Sequence, residues 1–440
     1  MSAWRTWMAV SSAAMALLAA GCATGSSPGS VAATSSAGPR TPTAAASISA
    51  VPSPSGVRAS APPAGQALWL QSLQMSTAST GWALYFAGNP SSAPLGTPTL
   101  LVRTTDGART WTDVTPAAAV GLLGTANATQ VLDAVGPERA YLTVTVSSDE
   151  SLPGTTRVFA TSDGGLNWTE SAPLTAVGAP RQLSFTDPLD GWLLWDEGAA
   201  MGRNPVRVYR TTDGGSHWSL TAQSPPMNSN SSAGIPVGCD KTGITFASAA
   251  AGWMSSDCAV GLSGELLVSR DGGVTWAPQQ LPVPASLCAD NDCVLSGPEF
   301  TDGTGFVTVA AYSGVTTLLV TRDLGQTWQS VPLPAGYAFG QYPYPQIKFF
   351  DPEDGVLVSA GSQGTIGAVF YTTSDGGQTW TAVPQGVHFT QLGAAVDFVS
   401  PLVGFAWITG GDTQGSAPPP VYETTDSGRT WTAFNPRMTG

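Results

Sequence analysis

The sequence contains few of the side chains on which most enzymes and nucleic-acid-binding proteins depend. Its 440 residues include two histidines and 17 lysines plus arginines, against 30 aspartates plus glutamates. The formal net charge is −13, and charged residues make up only 11% of the chain. No basic stripe is visible, so we expect neither a nucleic-acid partner nor attraction to an anionic membrane surface.

The repeat region also shows no sustained helical periodicity, and the helix formers Lys and Glu are scarce. Glycine and proline are abundant, with 51 and 35 copies, and apolar residues make up 42% of the chain. This composition favours short strands joined by many turns around a substantial core.

The N-terminus has the pattern of an export signal. Arg5 precedes an apolar stretch at 8–20 that is too short for an ordinary membrane span. The stretch ends in LLAAGC, which resembles the bacterial lipobox: Ala20, Gly21 and Cys22 match, whereas Ala19 replaces the usual Leu. The resemblance implies a lipoprotein signal peptide over 1–22, lipidation of Cys22, and an extracytoplasmic protein anchored to a bacterial membrane. The alternative is a cleaved signal with an incidental cysteine.

Residues 23–65 consist mostly of Ala, Ser, Pro, Thr and Gly and contain no aromatic residue. Such a segment cannot bury enough apolar area to offset its ordering entropy, so we predict a disordered tether. Random-coil scaling gives it a mean reach of about 35–40 Å.

Residues 66–436 contain seven copies of each of two short sequence motifs, which we call the two phrases. One is typified by TTDGGSHW at 211–218 and the other by LDGW at 189–192. The first phrase places an aspartate and a tryptophan in each copy: Asp106, Asp163, Asp213, Asp271, Asp323, Asp375, Asp426, and Trp111, Trp168, Trp218, Trp276, Trp328, Trp380, Trp431.

Each unit divides into four alternating segments separated by turn residues. In the third unit these segments are 181–187, 191–197, 205–212 and 217–223. Four strands repeated seven times at roughly fifty-residue spacing predict an all-β, seven-bladed β-propeller of four-stranded antiparallel blades.

The phrases resemble the BNR repeat, or Asp-box, and most closely the photosystem II stability and assembly factor type. In that family the box is the hairpin turn between the third and fourth strands of a blade. The Asp can accept backbone hydrogen bonds, the Gly two residues later permits positive φ, and the Trp can cover the turn. The first box has Ala108 at the Gly position, where we expect strain of about 1 kcal/mol. Aspartates placed one per blade are too far apart to act on one substrate, so we predict a structural role for them.

Four cysteines remain after Cys22. Cys239 and Cys258 are equidistant from the middle of a predicted hairpin, which favours a disulfide between them and leaves Cys288 to pair with Cys293. Reduced cysteines binding a metal are the alternative, but no CxxC spacing is present and neither histidine is near.

Catalytic patterns are weak. Sialidases share the Asp-box, but the only Ile-Pro, at Ile235-Pro236, lacks their preceding Arg. A glycosidase needs two facing carboxylates about 5–10 Å apart. The acids at 187, 190, 351, 353 and 354 are the densest, yet they lie in turns where a structural role is favoured. His217 lies in a box and His388 between blades. We predict no catalytic residue, metal or cofactor.

Recognition is better supported. The inter-blade loop at 336–346 contains Tyr337, Phe339, Tyr342 and Tyr344, and aromatic-rich loops are common binding surfaces. Packing of these rings onto their own blade is the alternative. The arginines before the boxes, Arg103, Arg207, Arg210, Arg270 and Arg322, could form a positive patch or pair with nearby acids.

The function predicted from the sequence is therefore a non-enzymatic, monomeric scaffold or recognition module for protein or glycan at the cell envelope. The alternative is a glycoside hydrolase, which requires convergent carboxylates in the axial cleft of the loop-rich face. A binding module predicts no close acid pair with perturbed pKa values.

Overall fold

A computed structural model describes residues 55–56, 68–87, 100–125, 128–148, 152–198, 204–225, 234–257, 265–283, 293–311, 316–334, 346–360, 366–384, 394–408 and 418–439. The predicted signal peptide with Cys22 and most of the predicted tether lie outside these residues. The described part is all-β apart from one 3-10 turn, η1, at Ala117–Ala119.

The strands form seven antiparallel sheets, each made from one contiguous stretch of sequence together with short additions. Blade 1 contains β2–β5, blade 2 β6–β10, blade 3 β11–β14, blade 4 β15–β18, blade 5 β19–β23, blade 6 β24–β27 and blade 7 β28–β31. Their bounds are β1 Ser55–Gly56, β2 Leu68–Met75, β3 Gly81–Ala87, β4 Leu100–Thr104, β5 Thr110–Asp113, β6 Ala128–Ala134, β7 Ala140–Val146, β8 Gly154–Thr161, β9 Asn167–Glu170, β10 Leu174–Ala176, β11 Ala179–Phe185, β12 Gly191–Asp196, β13 Val206–Thr211, β14 Ser219–Gln223, β15 Asp240–Phe246, β16 Gly252–Asp257, β17 Leu266–Ser269, β18 Ala277–Pro278, β19 Cys293–Leu295, β20 Glu299–Thr301, β21 Thr304–Ala311, β22 Thr316–Thr321, β23 Gln329–Pro332, β24 Gln346–Phe349, β25 Asp354–Ala360, β26 Ile366–Ser374, β27 Thr381–Val383, β28 Ala394–Phe398, β29 Gly404–Ile408, β30 Val421–Thr424, β31 Thr432–Phe434 and β32 Arg437–Met438.

The predicted seven-bladed propeller is confirmed. The four strands of the third unit agree with the sequence-based segments to within about two residues at each end. First strands of neighbouring blades contact one another, so they surround the propeller axis.

The core is divided into seven apolar clusters, and each one fills the interface between two neighbouring blades. Alternating side chains on a strand point to opposite faces, so each blade contributes to two clusters. A single four-stranded sheet with two apolar faces needs a neighbour on both sides, which explains why the ring is closed.

Aromatic stacking recurs at these interfaces. The aromatic residue that begins the second strand stacks on the last phenylalanine of the next blade's first strand. Trp192 lies on Phe246 with ring centroids 3.7 Å apart, and Phe306 lies on Phe349 at 3.5 Å. The second repeated phrase is therefore an inter-blade packing element.

The ring closes between blades 7 and 1 through side chains, without exchange of a strand within a blade. Phe405 and Trp407 of blade 7 share a core cluster with Trp111 of blade 1. The C-terminal strand β32 then pairs in parallel with β5, the outer strand of blade 1.

Two residues of the predicted tether also belong to the folded part. Ser55 and Gly56 form β1, which pairs antiparallel with Trp168 and Asn167 of β9. The ends of the described chain thus cover the outer edges of blades 1 and 2, and the folded part extends beyond the predicted range of 66–436.

Candidate functional site

The seven box turns share one geometry, seen clearly in blade 6. The Oδ1 atom of Asp375 accepts hydrogen bonds from the backbone N–H of Thr379 at 2.9 Å and from the Thr373 hydroxyl at 2.9 Å. Its Oδ2 atom accepts from the Thr379 hydroxyl at 2.6 Å, and Gly377 N–H donates to the Thr373 oxygen at 3.0 Å. The aspartate is thus bonded entirely within its own turn.

Two successive residues after each box Asp have positive φ. At the second position Ala108 has φ 64° where the other boxes have glycine, and at the first position Leu324 and Ser427 have φ 53° and 64°. L-residues are strained in this region, so the strain expected at Ala108 has two counterparts that the sequence analysis did not identify.

The box turns and the hairpins between first and second strands lie side by side, because antiparallel strands return both kinds of turn to one end of the blade. In blade 3, the N–H of Gly214 in the box donates to Leu189 O in the hairpin at 3.0 Å. We call the surface formed by these turns the Asp-box face.

The hydrogen bonds keep the box aspartates ionised. For Asp323, bonds from the hydroxyl and N–H of Thr327 and from the Thr321 hydroxyl lower the pKa to about 2. The pKa of Asp375 is lowered by the equivalent bonds from Thr379 and Thr373. These groups are permanent negative charges at neutral pH and lack the pKa of a general acid.

The densest acids in the hairpins also have local roles. Asp187 Oδ1 accepts from the N–H groups of Leu189 and Asp190 at 2.7 and 2.8 Å. Asp351 does the same for Glu353 and Asp354 at 2.8 and 2.7 Å. Both are Asx-turn geometries, which agrees with the structural role expected for these acids from the sequence.

A set of polar residues near the axis was missed by the sequence analysis. Each second strand has a small residue at or next to its start: Gly81, Ala140, Gly191, Gly252, Gly305, Gly355 and Gly404. The first-strand residue that precedes the partner of this small residue is polar in all seven blades. We call these residues the axial ring: Gln74, Asp133, Ser184, Thr245, Glu299, Lys348 and Asp397.

Several axial-ring residues connect their blade to the next one. Gln74 donates to Leu132 O and accepts from Ala134 N–H, both at 2.8 Å. Ser184 accepts from Phe246 N–H at 3.0 Å. These bonds satisfy first-strand backbone groups that no neighbouring strand can reach.

Three consecutive blades place charged residues in the axial ring. Lys348 Nζ donates to Asp397 Oδ1 at 3.1 Å, and Asp397 Oδ2 accepts from Met75 N–H at 3.2 Å. Burial raises the pKa of Glu299 to about 7, against the opposing effect of Lys348. Burial also raises the pKa of Asp397, despite the bonds from Lys348 and Met75.

Two axial acids with raised pKa values, Glu299 and Asp397, are therefore present on either side of blade 6. Glu299 and Asp397 do not lie where a glycosidase was expected to carry its acids. First strands end at the Asp-box face, and both residues lie near those ends. The acids thus lie toward the face opposite the long loops.

The predicted aromatic binding residues, Tyr337, Phe339, Tyr342 and Tyr344, lie outside the described residues, as does His388. The other histidine, His217, contacts its own box through Nδ1, 2.5 Å from Asp213 Oδ2. Cys258 and Cys288 also lie outside the described residues, so the cysteine pairing stays a prediction.

The arginines near the boxes mainly bridge blades or pair locally. Arg103 is 2.5 Å from Glu138 and Arg210 is 2.8 Å from Asp190, while Arg207 pairs with Glu197. Arg270 instead donates to two carbonyl groups of the next box. Three of the five arginines named in the sequence analysis thus form ion pairs with acids, and Arg270 donates hydrogen bonds to backbone carbonyl groups.

Within the described residues, no cluster of three or more His, Cys, Asp or Glu side chains has the arrangement of a metal site. The same residues include no helix that is both long and apolar enough to cross a membrane.

Residues 228–406 match the model of a family described as the photosynthesis system II assembly factor YCF48. The match covers less than half of the chain, so this chain is similar to that family over those residues. No curated protein matches it in sequence.

Solved structures similar to this propeller include both binding proteins and enzymes. YCF48 bound to D1 peptide is 16% identical, with a TM-score of 0.46 and coverage of 82% of this chain and 95% of that one. A Niastella koreensis GH74 enzyme is 14% identical, with a TM-score of 0.46 and coverage of 86% and 67%. A PL25 ulvan lyase is 11% identical, with a TM-score of 0.44 and coverage of 89% and 96%. Similarity at this level carries no functional argument.

Proposed function

We propose that this protein is a non-enzymatic scaffold that binds a partner protein during assembly of a larger complex. The observation that carries the proposal is the match of residues 228–406 to an assembly-factor family. Binding of a D1 peptide by YCF48 is a precedent for protein recognition by a propeller of this type. A glycan remains the alternative ligand, and the propeller itself acts as a monomer.

The carboxylate oxygens of the box aspartates and of Asp397 already accept hydrogen bonds within the protein, which supports a binding role. The box aspartates are bonded within their turns, and both oxygens of Asp397 already accept hydrogen bonds. A glycosidase nucleophile or base must present a free carboxylate oxygen to the sugar or to a water molecule.

Crosslinking in native cells, followed by identification of the captured molecules, tests the scaffold proposal. We expect a defined protein to be captured reproducibly by the wild-type chain. Capture of no protein, or of glycan alone, would overturn the proposal.

The predicted loop-rich face gives a more local test. If Tyr342 and Tyr344 contact the partner, alanine at both positions reduces capture while the melting temperature is retained. If the rings pack onto their blade, the melting temperature falls and capture by the folded protein is unchanged.

We further propose that the protein is anchored at the cell envelope through lipidated Cys22. The lipobox-like sequence at 17–22 supports this location. Labelling with a fatty-acid analogue should modify the wild-type chain and leave Cys22→Ser unlabelled. Equal labelling of both would contradict the anchor.

In an oxidising envelope, we propose disulfides joining Cys239 to Cys258 and Cys288 to Cys293. The register of β15 and β16 supports the first, because Asp240 pairs with Asp257 and the two cysteines adjoin that pair. Non-reducing peptide mapping should recover both pairs, and free thiols would contradict them.

A second candidate function is favoured by one observation, the raised pKa of Glu299. A carboxyl group with a pKa of about 7 is in the range of a glycosidase general acid. A panel of chromogenic glycosides tests this function. Turnover that is abolished by Glu299→Gln would support hydrolysis, and an absence of turnover across the panel would support the scaffold.

A further inference from the structure

Exposed aliphatic side chains are concentrated on the Asp-box face. Seven large hydrophobic side chains are exposed among the described residues, and five of them lie in first hairpins or box turns. They are Leu166, Leu189, Val274, Leu324 and Leu402, with exposed fractions of 66%, 57%, 54%, 38% and 57%. Most of the exposed aliphatic side chains among the described residues thus lie on one face, and apolar groups concentrated on one face are typical of a contact surface.

Three of these side chains belong to consecutive blades. Leu189 lies in the blade 3 hairpin, Val274 in the blade 4 box and Leu324 in the blade 5 box. Blades 4 and 5 are joined at this face because Arg270, in the same box as Val274, donates to Leu324 O at 2.7 Å. The box turns that carry Val274 and Leu324 are thus linked side by side.

Charge is distributed unevenly around the same face. The hairpins and boxes of blades 3–6, with their flanking residues, contain ten acids and three arginines: Asp187, Asp190, Asp213, Asp271, Asp302, Asp323, Asp351, Glu353, Asp354, Asp375, and Arg210, Arg270, Arg322. The corresponding turns of blades 7, 1 and 2 contain five acids and four arginines: Asp106, Glu138, Asp163, Glu423, Asp426, and Arg103, Arg109, Arg139, Arg429. One half of the face is strongly acidic and the other is nearly neutral.

Two of the three arginines of the acidic half already have partners within the protein. Arg210 pairs with Asp190 and lies 5.0 Å from the Trp192 ring centre. Arg270 bonds to the next box and lies 5.0 Å from the ring centre of Trp253. The box acids remain ionised, so the outward field of this half is negative.

We propose that the Asp-box face of blades 3–5 binds a cationic, amphipathic segment of a partner protein. Apolar side chains of that segment cover Leu189, Val274 and Leu324, and its lysines or arginines approach the surrounding acids. Charge complementarity selects this partner, because an acidic or neutral apolar segment would gain no electrostatic attraction. The inference rests on the proposed scaffold function and assigns it a surface and a partner chemistry.

Fluorescence anisotropy with a labelled twelve-residue peptide of alternating lysine and leucine tests the surface directly. The whole protein should bind this probe, and binding should weaken between 50 and 300 mM salt. A lysine–serine peptide of equal charge should bind about tenfold more weakly, because it lacks the apolar contacts. Equal affinity for the two peptides would overturn the proposal.

The aliphatic residues offer a matched pair of variants. Leu189→Ser/Val274→Ser/Leu324→Ser should weaken binding of the lysine–leucine peptide by about tenfold. Leu166→Ser/Leu402→Ser removes equally exposed leucines from the nearly neutral half and should leave binding unchanged. Equal losses in both variants, or no loss in the first, would show that this surface is not the site.

The charge contribution is tested by Asp302→Asn/Glu353→Gln, which changes two exposed acids. The variant should bind the peptide more weakly at 50 mM salt and resemble the wild type at 300 mM salt. Wild-type binding at 50 mM salt would contradict the electrostatic part of the proposal.

Crosslinking in native cells separates failure of this inference from failure of the scaffold function. Capture of the partner by the wild type but not by the triple serine variant supports both. Equal capture by the two proteins rejects this surface and retains the scaffold, whereas an absence of protein capture by the wild type rejects the scaffold itself.

Discussion

Aspartates of the box turns and acids of the axial ring have opposite electrostatic environments in one fold. Asp323 accepts hydrogen bonds from Thr327 and Thr321, and its pKa falls to about 2. Glu299 and Asp397 lie near the axis, where burial raises both pKa values despite the nearby ammonium group of Lys348. Recurrence therefore identifies the acids that stabilise turns, while the acids with raised pKa values lie at positions where residue type varies between blades.

The difference also shows that a perturbed pKa is not by itself a sign of chemistry. Asp397 links three blades, because it accepts hydrogen bonds from Lys348 of blade 6 and Met75 of blade 1. We therefore interpret Asp397 and Lys348 as a charged contact between blades that helps to close the ring, and variants at both positions test this role.

The largest effect is expected for Asp397→Ala. Removing the carboxylate takes away the acceptor of the buried Lys348 ammonium and of Met75 N–H, so the free energy of unfolding should fall by about 3–5 kcal/mol. Urea denaturation measures the change. Lys348→Met/Asp397→Leu, which removes both charges, should be distinctly more stable than the single variant. Equal losses in the two variants would show that the ion pair is not what matters.

A box aspartate should have a smaller effect than the axial pair. Asp375→Ala removes the acceptor of the Thr379 N–H and of two hydroxyl groups, so we expect a loss of about 2 kcal/mol. Gln378→Ala changes an exposed residue of the same turn and should cost less than about 0.5 kcal/mol. Thermal unfolding measures the stability of both variants. Coinciding midpoints would contradict the structural role of the box aspartate.

The two groups of acids should give opposite pH dependences. Glu299 has a raised pKa in the folded protein, so its contribution to stability falls as pH rises from about 4.5 to about 7, by about 3 kcal/mol at most. Asp323 has a lowered pKa, so its contribution is present above about pH 4 and is lost as pH falls toward 2.

Denaturation between pH 2 and 8 measures how the free energy of unfolding depends on pH. Glu299→Gln should reduce the change between pH 4.5 and 7 and leave the loss of stability below pH 4 intact. Asp323→Asn should affect only the loss of stability below pH 4. A wild-type slope between pH 4.5 and 7 in Glu299→Gln would show that another group titrates there.

The smallest effect is expected at the strained turn positions. Ser427 has φ 64° where most other boxes have glycine. Ser427→Gly should therefore raise the free energy of unfolding by about 0.5–1 kcal/mol, after the entropy cost of glycine in the unfolded chain. Ser427→Ala keeps the Cβ atom and should give no gain, and calorimetry that finds equal stability in the two variants would contradict the strain argument.

The sequence was sufficient for the fold because the same local interactions recur seven times. Every box contains the hydroxyl, Asp and Trp that form the turn, and alternation separates the four strands of each blade. Even the terminal phenylalanines of the first strands, such as Phe246 and Phe349, follow this pattern.

The axial ring was not predicted, although a signal was present one residue before those phenylalanines. Its members differ in type, from Gln74 to Lys348, because each satisfies a different neighbour across the blade interface. Their partners lie in other blades, and a single sequence does not show which residues meet there. Ring closure was missed for a similar reason, since the two residues of β32 carry no strand pattern of their own.

Closure without strand exchange has a consequence for how such a chain can change. Each blade is a complete, contiguous module, and the seam between the first and last modules is built like the other six, with β32 added at its outer edge. New ends could therefore be opened in any inter-module loop once the original ends were joined. A duplication or loss of one module would require only a readjusted angle between neighbours, so the ancestry of this architecture is open to addition one unit at a time.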